Sequence, residues 1–281
     1  MEIRDVKQSI EHNQTQVIDA KALAEQCNMS VSSLHRHFHR QFGMSMAKMQ
    51  RDLRLNRAAY MLAFRQEMSI LDIALTVGFD SHDGFGRAFQ RYVGVTPKAY
   101  RASPSFDMQS KTPICIDSTS GWLASLTVDL VCFEPVDVAV LVHKGSVRYL
   151  PKSLGEFICW RKSVGLSPSR SRTFNVMYAD PNVTPDDEWA MGLAAELSLS
   201  VSLPETMMAD TIGGETCLHV RWQGPEQSIG EIVHYLISHY ADEQGYQIAH
   251  KPPVLERITF YPDVPAHEAV TDIWIPLKAF A

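Results

Sequence analysis

The sequence predicts a multidomain chain: an all-α N-terminal domain with two helix-turn-helix units, joined to an α+β C-terminal domain of two βαββ repeats. Three observations predict this. LHRHFHRQFGMS, Leu34 to Ser45, is written again at an offset of 51 as FGRAFQRYVGVT, Phe85 to Thr96. A second duplication with a different rhythm lies further on: VAVLVHKG (138–145) answers CLHVRWQG (217–224) at offset 79, and SLGEFICW (153–160) answers SIGEIVHY (228–235) at offset 75. Between the two, ASPSFDMQSKTP (102–113) is polar, rich in Pro and Ser, and without period, which marks a linker. The expected boundaries are 1–103 for the helical domain, 104–120 for the linker and 121–281 for the α+β domain.

The chain has 281 residues, of which 45% are hydrophobic, enough to bury two separate cores. No apolar run approaches the ~18 residues that span a bilayer, and MEIRDVKQSIEHN lacks the apolar segment of a signal peptide, so a cytoplasmic location is expected. The five cysteines (Cys27, Cys115, Cys132, Cys159 and Cys217) are scattered and never form CxxC, which reads as small core residues rather than disulfides or a zinc site. The net charge of −6 divides unevenly, with +3 on residues 1–110 and −9 on residues 111–281. A weakly basic half thus adjoins an acidic half that phosphate repels.

Ile3, Val6 and Ile10 form the stripe of a first short helix. Asp19 caps the next, whose buried face is Ala20, Leu23, Ala24 and Cys27. The turn Asn28-Met29 follows, with Asn28 in the place that needs positive φ, and Ser30 caps the helix carrying Leu34 and Phe38. At offset 50 the grammar returns: Ser69 caps, Ile70, Ile73, Ala74 and Val77 are buried, Gly78 takes the Asn28 place, and Ser81 caps the helix of Phe85 and Phe89. Gly43 and Gly94 end the two repeated helices. Leu55, Ala58, Ala59 and Leu62 mark a helix between the copies that fixes their separation.

The run Ile73 to Arg101 resembles the AraC family of bacterial transcription regulators, in its Gly78-Phe79 turn, the Arg87 and Phe89 spacing, Gly94, Pro97 and Tyr100-Arg101. The resemblance spans Lys7 to about Arg101 and implies a promoter-binding region with two helix-turn-helix units. Gly84 and Gly86 depart from it, since interior glycines cost roughly 1 kcal/mol each relative to Ala. With Leu34 and Phe38 inward, the DNA-facing candidates are Ser32, His35, Arg36 and Arg40 on the first helix, and His82, Asp83, Arg87 and Arg91 on the second. Recognition helices enter the major groove N-terminus first, so Ser32, His35, Arg36, His82 and Asp83 aim at base edges and Arg40 and Arg91 at the backbone. The competing reading of Arg36 and Arg87, being repeated, is that they brace the fold. No metal is expected: His35 and His39 are one turn apart, but neither a third ligand nor a carboxylate base follows.

In the C-terminal half, Leu154, Phe157 and Ile158 match Ile229, Ile232 and Val233 as helix stripes. Strand-like segments follow each helix, at Thr173–Tyr178 and Trp189–Val201, then at Val254–Tyr261 and Thr271–Leu277. Two such units related by a pseudo-two-fold lead one to expect a ligand cleft where they meet. With HKG, WQGP, PPVLERITFYPD and DIWIPL, the segment Phe133 to Leu277 resembles the GyrI-like small-molecule-binding domain. That resemblance implies a pocket glutamate for cationic aromatic compounds at Glu256. Alternation independently places Glu256 on one face with Val254, Ile258 and Phe260, a carboxylate on an apolar surface that needs a cation or donors. Satisfaction by an internal arginine or tyrosine is the competing reading. Trp222, Trp160, Tyr178 and Phe260 are further ligand candidates, with core packing as the alternative for each; Trp222 shares a strand face with Leu218 and Val220.

Together these readings describe a one-component transcription activator, without cofactor and not an enzyme, whose partners are double-stranded promoter DNA, a small-molecule effector and RNA polymerase. Two alternatives concern the C-terminal domain: a hydrolase of small electrophiles with a pocket glutamate as base, against which no nucleophile-His-acid trio is readable, or a protein-interaction module.

Overall fold

The structure, a computed structural model, describes residues 3–15, 18–104, 122–179, 184–185, 187–197, 201–259 and 261–279. Two compact units emerge, built on Met1–Ser118 and on Thr119–Val264 with Glu268–Ala281. All of the expected linker except residue 104 lies outside the described residues, as do Cys115 and Phe260.

The first unit is helical: α1 (Ile3–His12), α2 (Ala20–Gln26), α3 (Val31–Phe42), α4 (Met46–Phe64), α5 (Ile70–Thr76), α6 (His82–Val93) and α7 (Pro97–Ala102). Side-chain oxygens of Asp19, Ser30, Ser69 and Ser81 accept backbone N–H groups at the starts of α2, α3, α5 and α6, which satisfies donors the helices cannot. Gly43 and Gly94 end α3 and α6 in left-handed backbone, φ 68° and 96°. Leu34, Phe38 and Phe42 enter one core with Val6, Ile10 and Ala24. Phe85 and Phe89 enter a second with Leu55, Leu62, Ile73 and Tyr100. The α4 helix serves both, through Met46 and Met49 in the first and Leu55 to Leu62 in the second.

The second unit is a curled antiparallel sheet with helices. Its strands are β1 (Asp129–Phe133), β2 (Val136–Lys144), β3 (Thr173–Val176), β4 (Ala190–Glu196), β5 (Met207–Ile212), β6 (Glu215–Gln223), β7 (Val254–Arg257) and β8 (Val270–Pro276). Helix α8 (Leu150–Ser163) follows β2; α9 (Gln227–Tyr235) follows β6 and runs through a π-helical segment into α10 (Ala241–Gln244). The strand order is β1-β6-β8-β7-β3-β4-β2-β5. It reads the same from both ends once β1–β4 are exchanged for β5–β8, and its centre is the β3·β7 pair, where Asn175 faces Leu255. Registers repeat accordingly: Val140 pairs Ala194 as His219 pairs Trp274, and Val142 pairs Gly192 as Arg221 pairs Asp272.

Two expectations are corrected here. Each copy carries one more leading strand than βαββ, β1 or β5, and each of these pairs with the other copy's second strand, β6 or β2. The halves meet not at a cleft but through a hydrogen-bonded strand pair, Phe174 to Val176 against Val254 to Glu256. Concavity comes instead from curl. Phe133 on β1 and Phe174 on β3 are four strand spacings apart, roughly 19 Å in a flat sheet, yet their ring centroids are 6.3 Å apart.

Candidate functional site

On the helical unit, burial separates the faces of α3 and α6 as period 3.6 requires. Ser32, His35, Arg36 and Arg40 are all exposed on α3 while Leu34 and Phe38 are fully buried; His82, Asp83, Arg87 and Arg91 are all exposed on α6 while Phe85 and Phe89 are fully buried. All eight are solvent-facing; Arg36 on α3 and Arg87 on α6 lie directly opposite the buried pairs. His82 Nδ1 lies 3.5 Å from Asp83 Oδ1, a surface contact too open to fix either side chain. Gly84 sits in the first turn, where an added Cβ would meet Ser81 Oγ at 2.9 Å, so the capping hydroxyl occupies the space a side chain would take. Gly86 faces open space.

On the sheet, alternation divides two faces. One is covered by helices: Ala139, Leu141, Leu193 and Ala195 pack on α8, and Leu218, Val220, Ile273 and Ile275 on α9 and its continuation. The other bears an apolar cluster of strand residues only, with Phe133, Phe174, Val254 and Trp274 among them.

Glu256 belongs to this helix-free face, beside Val254, and is buried. It is not left alone. Arg172, just before β3, donates from Nε to Oε1 at 2.7 Å and from Nη2 to Oε2 at 2.8 Å, so an arginine of the chain itself satisfies the carboxylate. The guanidinium also lies 5.0 Å from the ring centroid of Phe174 and 6.0 Å from that of Phe133. Hydrogen bonding to Glu256 holds the Arg172 pKa above its ordinary value, outweighing burial, with the charges of Glu256, Glu196 and Asp272 adding to the effect. Next to it, Asp272 accepts from Arg221 at 2.7 and 2.6 Å and approaches His219 Nε2 at 3.4 Å. Burial pushes the Asp272 carboxyl up, but those bonds and charges win and hold it at about 2. His219 stacks on Trp274 at 4.2 Å, and Trp274 on Phe133 at 4.5 Å.

The pseudo-two-fold makes the chemistry of this face one-sided. Where the second half has His219, Arg221, Glu256, Asp272 and Trp274, the first half has Val140, Val142, Val176, Gly192 and Ala194. One flank of the face is charged and aromatic, the other small and apolar. Tyr178 stands on the apolar flank: its ring would be 3.2 Å from a Cβ at Gly192. Burial, then Asp210, raises its pKa.

Two other expected ligand residues lie on the opposite face. Trp160 packs within the α8 core, and Trp222 in the α9 core against Trp122 at 5.3 Å. Trp222 Nε1 donates to the Pro225 carbonyl at 3.2 Å. At the corresponding place in the first copy, His143 Nε2 is 3.2 Å from the Ser146 carbonyl. Both side chains therefore brace a strand end to the turn that starts the next helix, a structural task. His143 Nδ1 also lies 2.8 Å from Ser153 Oγ, which has the look of a nucleophile and base. Its twin position is filled by an indole that makes the same tie, so the shared element is the brace. Sequence reasoning missed Arg172, His219, Arg221, Asp272 and Trp274; for Arg172 no local signal exists, since its partner is 84 positions away. For His219, Arg221, Asp272 and Trp274 the signal that could have found them is the period-two alternation of HVRWQ and DIWIP.

No group of three or more metal-binding side chains comes together, and no helix is long and apolar enough to cross a membrane, among the described residues. A helical head with two arginine-bearing helices, and a curled sheet whose helix-free face is charged and aromatic on one flank, fit a DNA-binding regulator joined to a small-molecule-binding domain. Residues 23–103 match the family model of a helix-turn-helix domain, of AraC type, and residues 126–278, more than half of the chain, match that of the GyrI-like small molecule binding domain. The chain belongs to the GyrI-like family and carries an AraC-type head. It is 28% identical over 158 residues to the probable transcriptional regulator YgiV of Escherichia coli K12, a match covering 54% of this chain and 97% of that protein. It is 38% identical over 81 residues to the transcriptional activator RhaR of Pectobacterium carotovorum, covering 29% of this chain and 28% of that one. Among solved structures, the C-terminal domain of AraT, a response regulator from Geobacillus stearothermophilus, is similar to 36% of this chain over 83% of its own, at 31% identity and a TM-score of 0.33.

Proposed function

We propose that this protein activates transcription by reading promoter DNA through α3 and α6 of one chain, under the control of a small molecule held on the helix-free face of its sheet. The carrying observation is the matched pair of helices, each burying Leu34 and Phe38 or Phe85 and Phe89 and exposing arginine and polar side chains from the opposite surface. Arginine at an N-terminal helix position reaches guanine O6 and N7, the commonest specific contact, and arginine further along reaches phosphate. Activation is carried over from a relative named an activator, and RNA polymerase is the partner it implies.

On the effector side, Glu256 with Tyr178 on the same face supports a cationic, aromatic ligand. Control requires that the ligand bind the DNA-competent and DNA-incompetent states with different affinity. Footprinting at base resolution, with and without lipophilic cations, tests both halves. A single chain is expected to protect two major-groove segments on one face of the duplex, ~34 Å apart. Specific binding only as a dimer on a palindrome, one helix per half-site, overturns the first half. Protection unmoved by every such compound overturns the second.

A further inference from the structure

Glu256 already has a complete set of contacts for a cation, supplied by the chain itself. The carboxylate sits on a buried strand position with its side chain 9% exposed, while the Arg172 side chain paired with it is 38% exposed. Two parallel N–H donors meet the two carboxylate oxygens, and two aromatic rings stand near the guanidinium, at 5.0 and 6.0 Å from its carbon. Bidentate pairing and aromatic contact are what a planar, delocalised cation uses, and a tetraalkylammonium ion has no N–H donor to offer. Beside the pair, Val176, Gly192 and Ala194 form a closely packed apolar flank whose exposed member is the Tyr178 ring lying against Gly192.

We propose that Arg172 is a built-in occupant of the effector site, and that the molecule which replaces it carries an amidinium or guanidinium group on an aromatic body. The effector does not meet an unpaired carboxylate; it exchanges with an arginine that mimics it. Affinity is therefore set by competition, and Arg172 excludes cations that cannot reproduce its two hydrogen bonds. This rests on reading the helix-free face as the effector site.

Chemical replacement in the full chain tests it. Benzamidinium and benzyltrimethylammonium are titrated calorimetrically into the wild type, Arg172→Ala and Arg172→Ala/Glu256→Gln. Benzamidinium is expected to bind Arg172→Ala at least tenfold more tightly than the wild type, more tightly than the ammonium ion does, and to lose at least tenfold in the double variant. Equal affinity across the three proteins, or equal binding of the two cations, overturns the proposal. Should Arg172→Ala not fold unaided, tryptophan fluorescence decides: recovery of the folded state by benzamidinium but not by the ammonium ion supports the exchange, and no recovery overturns it. The two readings fail separately. A wild-type chain whose DNA affinity responds to lipophilic cations irrespective of residue 172 keeps the effector site and loses the exchange. DNA affinity unmoved by any of them loses the effector reading, even where Arg172→Ala takes up benzamidinium.

Discussion

Asn28 and Gly78, fifty positions apart, hold the same place in the turns before α3 and α6, and both have left-handed backbone, at φ 52° and 86°. Their tolerance of substitution should nevertheless differ. A Cβ on Gly78 would lie 3.2 Å from Arg54 Cζ and 3.3 Å from Thr15 Cα, and Arg54 is tied to the Gly78 carbonyl at 2.9 Å. Gly78→Ala is expected to destabilise the helical unit by ~1–3 kcal/mol, whereas Asn28→Gly, which only relieves strain, is neutral or stabilising by up to ~1 kcal/mol. All five tryptophans, at 122, 160, 189, 222 and 274, lie beyond the helical unit. Urea unfolding followed by circular dichroism, with tryptophan fluorescence as the control, isolates the effect. Equal losses for the two substitutions would remove the asymmetry.

With α3 in the major groove as proposed, its two arginines are expected to divide the work of binding. Arg36→Ala should cost ~1–3 kcal/mol and relax preference at particular base positions, while Arg40→Ala should weaken all sequences alike and lower the salt slope by about one. Anisotropy titrations of specific and scrambled duplexes at several salt concentrations distinguish them. Sequence-blind losses for both would reduce Arg36 to a phosphate contact or a brace.

Gly86 is a stability reserve within α6. With open space around its Cβ position, Gly86→Ala is expected to stabilise the helical unit by up to ~1 kcal/mol. Thermal unfolding by circular dichroism checks the sign. If the gain in stability comes with a loss of DNA affinity, the glycine is there for close approach to the duplex.

Asp272 gives the sheet an acid-sensitive tie. Its folded pKa of about 2 lies below the ordinary aspartate value of ~3.9. The stabilisation is therefore present in full above ~4 and is lost as pH falls through about 2. The stability difference between wild type and Asp272→Asn, read by tryptophan fluorescence in denaturant, should shrink across that window. A pH-independent difference would exclude Asp272 as the titrating group.

The helical unit was legible nearly residue by residue, because period 3.6, serine caps and glycine stops are local signals and each appears twice. The sheet was legible only in part. Its second strands and helices repeat in sequence, but β1, with only Phe133 buried, has no alternation to betray it. Alternation placed Trp222 with Leu218 and Val220 correctly, yet could not say which face carries the helices, since β2 and β4 are apolar on both faces. Trp222 lies across the sheet from Glu256, as does Trp160 on α8. The Arg172–Glu256 pair arises from the meeting of β3 and β7, a tertiary fact outside the reach of any window along the chain.

The crossing of β1 and β5 bears on how the sheet domain can be divided. Each half contributes a leading strand to the opposite edge of the sheet, β1 to β6 and β5 to β2. A chain break in the connection between β4 and β5 would separate two fragments, neither of which holds all the partners of its own strands. Mixed, the two fragments hold them all, so the domain is suited to fragment complementation and unsuited to truncation. A single half closes its sheet only by lending a strand to a second copy and borrowing one in return. The arrangement is that of a strand-swapped dimer written as one polypeptide, and in one polypeptide the two copies need not match: one carries valine, glycine and alanine where the other carries glutamate, aspartate and tryptophan.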